Sequence, residues 1–338
     1  MPHRGVCRCL VRKPVWALPA MTRVSRYPSG RPSMARRWSI IRSDEMWGYG
    51  FVFPALALLC LFAAVPILQA VWLSFHRRLP IFGIDEFIGL HNYGELLTDQ
   101  RFWSACGTTL YFTGLSVSLE LALGLGMALL LAGSGGVGLS SYGVAWGRVV
   151  MLIPWAIPTV VSARMWEWLY HPEYGLLNYL LNTFHVVEGP IYWLGSPRWA
   201  IHAAIMMDVW KTTPFAALLL LGGLQAIPRD LYRAAVVDGA SAWSAFRHVT
   251  LPLLWPVILV VLAFRTMDAF RVFDAVYVLT SGGPGNSTET LSIYAYKTFF
   301  QSLQFGYGSA ATTMMFVFVA MITGVYFLLL RRGLQVAS

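Results

Sequence analysis

Six long apolar segments decide what this sequence can fold into. They lie near residues 47–75, 103–132, 147–170, 199–226, 253–280 and 308–330. Each is long enough to supply the roughly 20 residues that cross a bilayer. Inside a bilayer the backbone must satisfy its own hydrogen bonds, and the runs are continuous rather than alternating, which excludes a barrel of strands. The sequence therefore predicts an all-α, polytopic membrane protein with six transmembrane helices.

The charge content agrees with a lipid environment. The chain is 57% hydrophobic and only 12% charged, whereas a soluble domain carries about 25% charged residues. The net charge of +9 does not indicate nucleic-acid binding, because ten of the 25 Lys and Arg residues precede Met46 and form no folded patch. We predict a basic, disordered cytoplasmic tail over residues 1–45 and a transmembrane domain over residues 46–331.

The third apolar segment is the least regular of the six. Arg164 and Glu167 lie inside it, and Pro154 and Pro158 interrupt it. Proline removes a backbone donor and disturbs the preceding turn of a helix. Of the six predicted spans, this one therefore has the weakest support in the sequence.

Basic residues between the segments predict the orientation. With the amino terminus inside, the tail, Arg148, the loop with Arg229, Arg233 and Arg247, and the pair Arg331–Arg332 are cytoplasmic. The opposite side holds Arg77, Arg78, Arg101 and Lys297. The larger number of positive charges favours the cytoplasm, so both termini are predicted to lie inside. The Arg77–Arg78 pair, directly after the first segment, is an exception to this rule.

The loop between the fourth and fifth segments, residues 227–252, predicts two short helices. Pro228 suits the first turn of a helix that runs to about Val237. Gly239 supplies the left-handed residue that ends it, and Ser241 caps a second short helix. The small side chains in this loop would allow another protein to approach its backbone closely.

The same loop resembles the EAA motif of permeases from binding-protein-dependent ABC importers. That motif runs Glu-Ala-Ala, two residues, Asp-Gly-Ala, then Phe and finally Leu-Pro. The positions that match it in spacing are Ala234, Ala235, Asp238, Gly239, Ala240, Phe246, Leu251 and Pro252. Arg233 stands where the family usually has Glu, which reverses one charge. The similarity extends over residues 47–331.

The resemblance implies a transport subunit that is not itself an enzyme. Its EAA loop, including Arg233, would couple to a separate ABC ATPase, which would hold ATP and Mg²⁺. A second, similar permease and a periplasmic or lipid-anchored sugar-binding protein would complete an importer in the bacterial inner membrane. The binding protein would dock on the outer loops near 77–102, 171–197 and 281–306. No cofactor and no nucleic acid are expected on this chain.

Two further stretches are similar to the carbohydrate branch of these permeases. They are Asp208-Val-Trp-Lys-Thr-Thr-Pro-Phe215 and the segment from Phe264 to Pro284. This branch comprises MalF-like permeases for maltose, trehalose and glycerol phosphate. The resemblance implies that the transported solute is a di- or oligosaccharide or glycerol phosphate, and the variant loop is similar to that of trehalose-type permeases.

Several charged side chains fall inside the apolar segments. A charge at mid-membrane costs roughly 2.5–3.5 kcal/mol on insertion scales, so each needs a partner or water. Spacing of three residues places Asp208 beside Lys211 and Arg265 beside Asp268. Either these side chains contact solute or they form ion pairs that fix the packing. The candidates for the solute path are Asp208, Lys211, Arg265, Asp268, Phe270 and Tyr277, whereas Glu120 is interpreted as a buried structural acceptor.

Other function classes find less support in the sequence. None of the three lysines (Lys13, Lys211 and Lys297) follows a glycine as a phosphate-binding loop requires, and no Gly-x-Ser-x-Gly pattern indicates a serine protease. The four cysteines have no metal-binding spacing. An ion-coupled secondary transporter remains the alternative, although no internal repeat is visible and such a protein has no ATPase to engage.

Overall fold

The computed structural model describes residues 49–133 and 141–336. The chain divides into two compact units, residues 1–64 and residues 65–338. In the first unit the described part is an apolar helical stretch that ends in a π-helical turn, Cys60–Ala64. The basic tail predicted over residues 1–45 lies outside the described residues.

Helices account for most of the described chain. We number them in chain order. They are α1 (Tyr49–Leu73), α2 (His91–Thr98), α3 (Gln100–Gly133), α4 (Ser141–Ala156), α5 (Thr159–Leu169), α6 (Leu176–Thr183), α7 (Pro197–Ala226), α8 (Arg229–Val237), α9 (Ala242–Ala245), α10 (Leu251–Phe270), α11 (Asp274–Thr280), α12 (Leu291–Phe300) and α13 (Phe305–Val336). Within residues 49–133 and 141–336, five helical runs are long and apolar enough to cross a membrane, and a bent pair makes a sixth if it is counted as one span. The predicted helical membrane fold is confirmed.

Helix α7 is the centre of the second unit. It packs most extensively against α3 and also contacts α4, α5, α10 and α11. Small residues permit this close approach: a Cβ on Gly124 of α3 would lie only 3.2 Å from the Cβ of Ala216. On the other side, Gly223 of α7 faces Leu254 and Val257 of α10 at similarly short range. The core therefore forms around the helix that carries Asp208 and Lys211.

The third predicted span is broken into two helices. Helix α4 ends at Ala156, α5 begins at Thr159, and the two axes meet at 92°. Pro158 lies at the break with ψ of 140°, and it lacks the N–H that would continue the helix. The chain thus turns sharply where the sequence predicted one span over residues 147–170.

The fifth predicted span, 253–280, is shorter in the structure. Helix α10 ends at Phe270, and a separate helix, α11, begins at Asp274. Arg271, with φ of −98° and ψ of 14°, lies at the end of α10. The prediction of one continuous span over residues 253–280 is therefore wrong, because α10 does not continue to Asp274. An acidic residue suits the first turn of α11 because it faces the positive end of the helix dipole.

A two-stranded antiparallel hairpin follows α1, although the sequence predicted only helices. Strand β1 is His76–Leu79 and strand β2 is Ile84–Phe87. The register pairs Arg77 with Glu86 and Arg78 with Asp85. Each basic side chain thus has an acid directly opposite. This pairing gives the Arg77–Arg78 exception a physical account, because the hairpin compensates both charges locally.

Candidate functional site

A buried arginine joins three helices in the middle of the second unit. Arg265 of α10 donates from Nε and Nη2 to the two carboxylate oxygens of Glu120 on α3. Its Nη1 donates to Asp268, and its Nη2 lies 3.4 Å from Oδ2 of Asp208 on α7. The side chain of Arg265 is 5% exposed and that of Glu120 is 0% exposed. Four of the five N–H groups of the guanidinium therefore point at a carboxylate.

The cluster fulfils one of the two expected pairings. Arg265 and Asp268 are hydrogen-bonded, as their spacing of three residues predicts. Glu120 also accepts a hydrogen bond of 2.7 Å from Thr212, which completes its coordination as a buried acceptor. A buried charge is tolerated only when it is paired and hydrogen-bonded, so this network explains how α3, α7 and α10 carry ionic groups at this depth.

Lys211 does not form an ion pair with Asp208 in the structure. Its Nζ donates instead to the backbone carbonyls of Ile157, at 2.5 Å, and Trp155, at 3.4 Å. These carbonyls belong to the break between α4 and α5, where the helical hydrogen bonds stop. A cation is favourable at a helix carboxyl end, so Lys211 stabilises the bend electrostatically as well as by hydrogen bonding.

A cavity of about 620 Å³ opens beside the arginine cluster. Four of the candidate solute-path residues line it, namely Asp208, Lys211, Arg265 and Asp268. Aromatic rings complete the wall, and two of them, Trp155 and Phe215, stack at 5.9 Å with an interplanar angle of 16°. The remaining polar and aromatic lining residues include Thr159, Thr212, Phe264, Arg271, Phe273 and Asp274. The cavity thus combines hydrogen-bonding groups with flat apolar faces.

The other two candidates lie away from this cavity. Phe270 is buried on the opposite side of α10, where its ring packs edge-on against Phe318 and lines a separate apolar cavity of about 280 Å³. Tyr277 lies one layer behind the wall. It stacks on Phe273 with ring centroids 5.0 Å apart, and Phe273 is the ring that lines the cavity.

Sequence reasoning did not single out Trp155 or Phe215. Trp155 reaches the cavity because α4 stops at Ala156 and the chain turns away. The signal was present in Pro154 and Pro158, since two prolines within an apolar segment predict a break with irregular backbone. In membrane proteins such backbone is tolerated where it is buried in protein or lines a cavity.

The loop at 227–252 has the predicted local structure. Helix α8 runs from Arg229 to Val237, and Gly239 follows with φ of +78°. The N–H of Gly239 bonds to the carbonyl of Val236, and that of Ala240 bonds to the carbonyl of Ala235, which together form a Schellman motif. The hydroxyl of Ser241 accepts from the N–H of Ser244 and caps α9.

Apolar side chains on this loop face outward. Val236, Val237 and Trp243 are 72%, 86% and 69% exposed. Arg233, at the position where the family usually has Glu, bonds only to the neighbouring exposed Asp230, at 2.9 Å. In the described chain, therefore, no other helix covers the tip of this loop. An apolar surface of this kind typically marks a contact with another protein.

The base of the loop is tied to the transmembrane helices. Tyr232 of α8 and Thr250 share a hydrogen bond of 3.0 Å, and Thr250 is buried. The ring of Phe246 stacks on Trp243 with centroids 5.5 Å apart. Leu251 and Pro252 then open α10 as predicted. Ala234 and Ala235 lie in α8 itself, and Asp238, Gly239 and Ala240 form the turn that follows it.

A second ionic group lies at the opposite ends of the helices. Arg101 donates two hydrogen bonds to the carboxylate of Glu289, and Lys297 lies 3.2 Å from the same carboxylate. Nearby, Asp99 accepts hydrogen bonds from Tyr294 and from the backbone of Arg101. Burial alone would raise the pKa of Asp99, but these hydrogen bonds outweigh it, so the pKa lies below its usual value.

The described residues offer no metal-binding group, since residues 49–133 and 141–336 contain no cluster of three or more His, Cys, Asp or Glu side chains. The spanning helices, the charged cavity and the exposed two-helix loop define a polytopic membrane permease. The sequence model of the family described as "Binding-protein-dependent transport system inner membrane component" matches residues 111–334. This chain belongs to that family, whose members are transport subunits rather than enzymes.

Several characterised proteins are similar to this chain. The trehalose/maltose transport system permease protein MalF of Thermococcus litoralis is 46% identical over 279 residues, which are 82% of this chain and 92% of that protein. The trehalose transport system permease protein SugA of Mycobacterium tuberculosis is 41% identical, covering 84% of this chain and 88% of its own length. The sulfoquinovosyl glycerol transport system permease protein SmoG of Agrobacterium fabrum is 39% identical, with coverages of 87% and 93%.

A solved structure supports the fold. A bacterial ABC transporter involved in the import of the acidic polysaccharide alginate contains a chain that matches with a TM-score of 0.74 at 24% identity. The match covers 88% of this chain and 99% of that one. The architecture is therefore that of a type I ABC importer permease.

Proposed function

We propose that this chain is the permease subunit of an ATP-binding-cassette importer that moves an uncharged sugar, such as a di- or oligosaccharide, into the cytoplasm. The observation that carries this proposal is the cavity beside Arg265. Its volume of about 620 Å³ falls within the roughly 300–1,000 Å³ of small-molecule sites. Both polar groups and aromatic rings line it, and this combination suits a hydroxyl-rich solute with an apolar ring face.

The charges of the cavity favour a neutral solute. Three cationic side chains, Lys211, Arg265 and Arg271, and three acidic ones, Asp208, Asp268 and Asp274, line it. Glu120 adds one more acid directly behind Arg265. The cations are therefore balanced before any solute enters. A phosphate or sulfonate group would find no cation in the cavity that is not already balanced by an acid. Glycerol phosphate is therefore the less suitable member of the predicted solute class.

The named relatives support a sugar. Two of them, at 46% and 41% identity, carry names that assign them to trehalose or trehalose/maltose transport. A third, at 39%, is named for a glycoside that bears a sulfonate. Its identity to this chain is not much lower, so sequence similarity alone does not decide between neutral and anionic solutes. The charge balance of the cavity is the discriminating feature.

The exposed loop at residues 229–250 supplies the contact for an ATPase. Helix α8, the Schellman turn at Gly239 and helix α9 form a compact projection with apolar side chains at its surface. ATP and Mg²⁺ belong on the ATPase, and closure of that partner would be transmitted through the loop to α7 and α10. Arg233 is available for this contact, since its Asp230 partner is itself exposed.

The remaining partners follow from a single coupling loop on a single permease. A second, similar permease would engage the second half of an ATPase dimer. A periplasmic or lipid-anchored sugar-binding protein would deliver the solute to the loops near residues 77–102, 171–197 and 281–306. Both termini would lie in the cytoplasm and the chain in the bacterial inner membrane. Transport would proceed by alternating access, with the cavity open first outward and then inward.

An ion-coupled secondary transporter is not favoured. Membership of a binding-protein-dependent family and the exposed loop both argue for an ATPase partner. The two mechanisms differ in their energy source. Uptake should therefore persist when a protonophore collapses the proton gradient while cellular ATP is maintained, and it should stop when ATP is depleted.

The decisive experiment measures solute uptake in cells that lack this chain. Radiolabelled trehalose, maltose and glycerol 3-phosphate are offered to the deletion strain, with and without the returned gene. We expect loss of trehalose or maltose uptake, restored by the wild type but not by a double replacement of Asp238 and Gly239. If all three solutes enter the deletion strain normally, the sugar assignment is wrong. Loss of glycerol 3-phosphate uptake alone would contradict the charge-balance argument.

A further inference from the structure

The hairpin His76–Phe87 carries a set of exposed apolar side chains. Its tip is the 3₁₀ turn Pro80–Phe82, in which Ile81 and Phe82 are 67% and 73% exposed. Phe87, on the second strand, is 67% exposed. The helix before it, α1, ends at Leu73, only three residues before β1 begins. The hairpin therefore starts where a spanning helix leaves the hydrocarbon.

Aromatic rings join the hairpin to the exposed surface of α1. Trp72, in the last turn of α1, lies 5.0 Å from the ring of His76 and 6.5 Å from that of Phe87. Trp72 is itself exposed on the outer surface of the helix. Tryptophan on a spanning helix next to the boundary is typical of the interfacial belt. Phe87 continues that belt from the helix onto the second strand.

The hairpin is fixed in its orientation by buried contacts. Asn92 of α2 is 4% exposed, and its amide donates to the carbonyls of Ser74 and His76. On the other side Gly306 of α13 packs against the carbonyl of His76 so closely that a Cβ would collide with it. The direction of the tip is therefore set by the fold, and its apolar side chains cannot rotate into the protein core.

We infer that the hairpin lies in the headgroup region of the outer leaflet, with Ile81, Phe82 and Phe87 inserted among the lipids. Amphipathic segments bind this region through apolar side chains on one surface and basic groups near the phosphates. Arg77 and Arg78 are exposed on the strand between Trp72 and the tip, and Arg78 lies 4.0 Å from Asp85, a loose pair. Long basic side chains reach the phosphate level from such positions.

Lipid is the occupant that the surroundings favour. The exposed rings are continuous with the exposed surface of α1, a helix long and apolar enough to cross a membrane. Each arginine of the hairpin has an acid opposite it, so the hairpin carries no net charge that would attract an acidic or basic protein. In consequence only part of the outer loop at 77–102 would be free to receive a binding protein. The hairpin would instead set the depth at which the last turns of α1, residues 65–73, lie in the membrane.

Spin labels test this placement directly. The full-length chain, with its native cysteines replaced, is labelled at Phe82→Cys, Ile81→Cys or Glu86→Cys and reconstituted in nanodiscs of phosphatidylethanolamine and phosphatidylglycerol. Collision rates with molecular oxygen, which concentrates in lipid, are compared with those of a water-soluble nickel complex. We expect the oxygen-to-nickel ratio at positions 81 and 82 to exceed that at position 86 severalfold. Position 86 is the matched control, since it is exposed on the same hairpin and lies on the face opposite Phe87.

Two outcomes would overturn the inference. Ratios at positions 81 and 82 as low as that at position 86 would place the tip in water. Shielding of positions 81 and 82 from both reagents would show that protein, rather than lipid, covers them. Agreement between the two tip positions guards against a local effect of either substitution, and retention of solute uptake by the cysteine-free chain shows that the labelled protein is folded. The measurement does not depend on which solute is transported.

Discussion

Arg265 and Glu120 lie 145 residues apart in sequence, yet two nitrogens of the guanidinium donate to the two oxygens of the carboxylate. The pair joins α10 to α3 across the centre of the core. Asp208 and Thr212 bring α7 into the same network. Three helices are thus fixed relative to one another by one buried side chain.

Removing Glu120 should destabilise the protein strongly. Glu120→Ala leaves Arg265 buried with only part of its carboxylate partners, and breaking a buried ion pair costs roughly 3–5 kcal/mol. Thermal unfolding in detergent should show a clearly lower midpoint. The matched control is Asp230→Ala, which breaks the exposed Arg233–Asp230 pair and should cost about 0–1 kcal/mol. Equal midpoints for the two variants would contradict the central role of this ion pair.

Lys211 should be needed to hold the break between α4 and α5. Lys211→Met removes both donors to the carbonyls of Ile157 and Trp155, and hydrogen bonds to a charged group contribute about 1.5–3 kcal/mol. We expect faster amide hydrogen exchange in residues 156–162 and reduced uptake. Lys211→Arg keeps a cation at this place and should be affected less. Unchanged exchange in Lys211→Met would show that the prolines alone maintain the bend.

Gly239 should be required for coupling rather than for folding. Its φ of +78° disfavours a branched side chain, although a Cβ there would meet no neighbour within 4 Å. Gly239→Val should therefore distort the Schellman turn and separate ATP hydrolysis from solute uptake while the assembled complex persists. Asparagine tolerates the left-handed region, so Gly239→Asn should keep most of the coupling. Normal uptake by Gly239→Val would refute the assignment of the loop.

Phe273 should contribute to solute binding more than Phe270. Phe273 lines the large cavity, whereas Phe270 faces a different, apolar one. Loss of one ring face removes about 0.5–1.5 kcal/mol, which corresponds to as much as about a tenfold weaker apparent affinity. Concentration dependence of uptake measures this. Phe270→Leu, which keeps an apolar side chain, should leave the apparent affinity unchanged, and a larger effect there than in Phe273→Leu would place the solute elsewhere.

Asp99 should make stability depend on acid pH. Its pKa in the folded protein lies below the unfolded value of 3.8, so its stabilising contribution is complete above that value and is lost as the pH falls through the folded pKa. Asp99→Asn should therefore be less stable than the wild type at pH 7, and the difference should shrink below about pH 4. Unfolding midpoints at several pH values test this. A difference that stays constant into acid would show that the charge of Asp99 is not involved.

Local features of this chain were predictable because the signals lie within a few residues of their effects. The helix ends around Pro228, Gly239 and Ser241 follow from capping and turn chemistry that acts over three or four positions. The same is true of the Arg265–Asp268 pair. Apolar length likewise predicts the spanning helices, since it depends only on the bilayer thickness.

Features that depend on distant contacts were not predictable. The carbonyls that accept from Lys211 are more than fifty residues away and are exposed by a break whose angle the sequence does not contain. Phe270 and Phe273 are three residues apart, but α10 ends between them, and the two rings line different cavities. The hairpin after α1 was not predicted because its strands are short and because the pairing of its basic and acidic residues becomes visible only once the strand register is known.

One uninterrupted helical run extends from Ala242 in the exposed loop to Phe270 beside the cavity. A π-helical turn, Phe246–Thr250, lies within it, but no flexible linker separates its ends. From Trp243 to Arg265 the run rises about 33 Å at ~1.5 Å per residue, which is about the thickness of the hydrocarbon core. A displacement of the end in the loop would therefore tilt or shift the end beside the cavity. Arg265, which joins the helices of the core, therefore lies on the same helical run that would receive the movement of the ATPase.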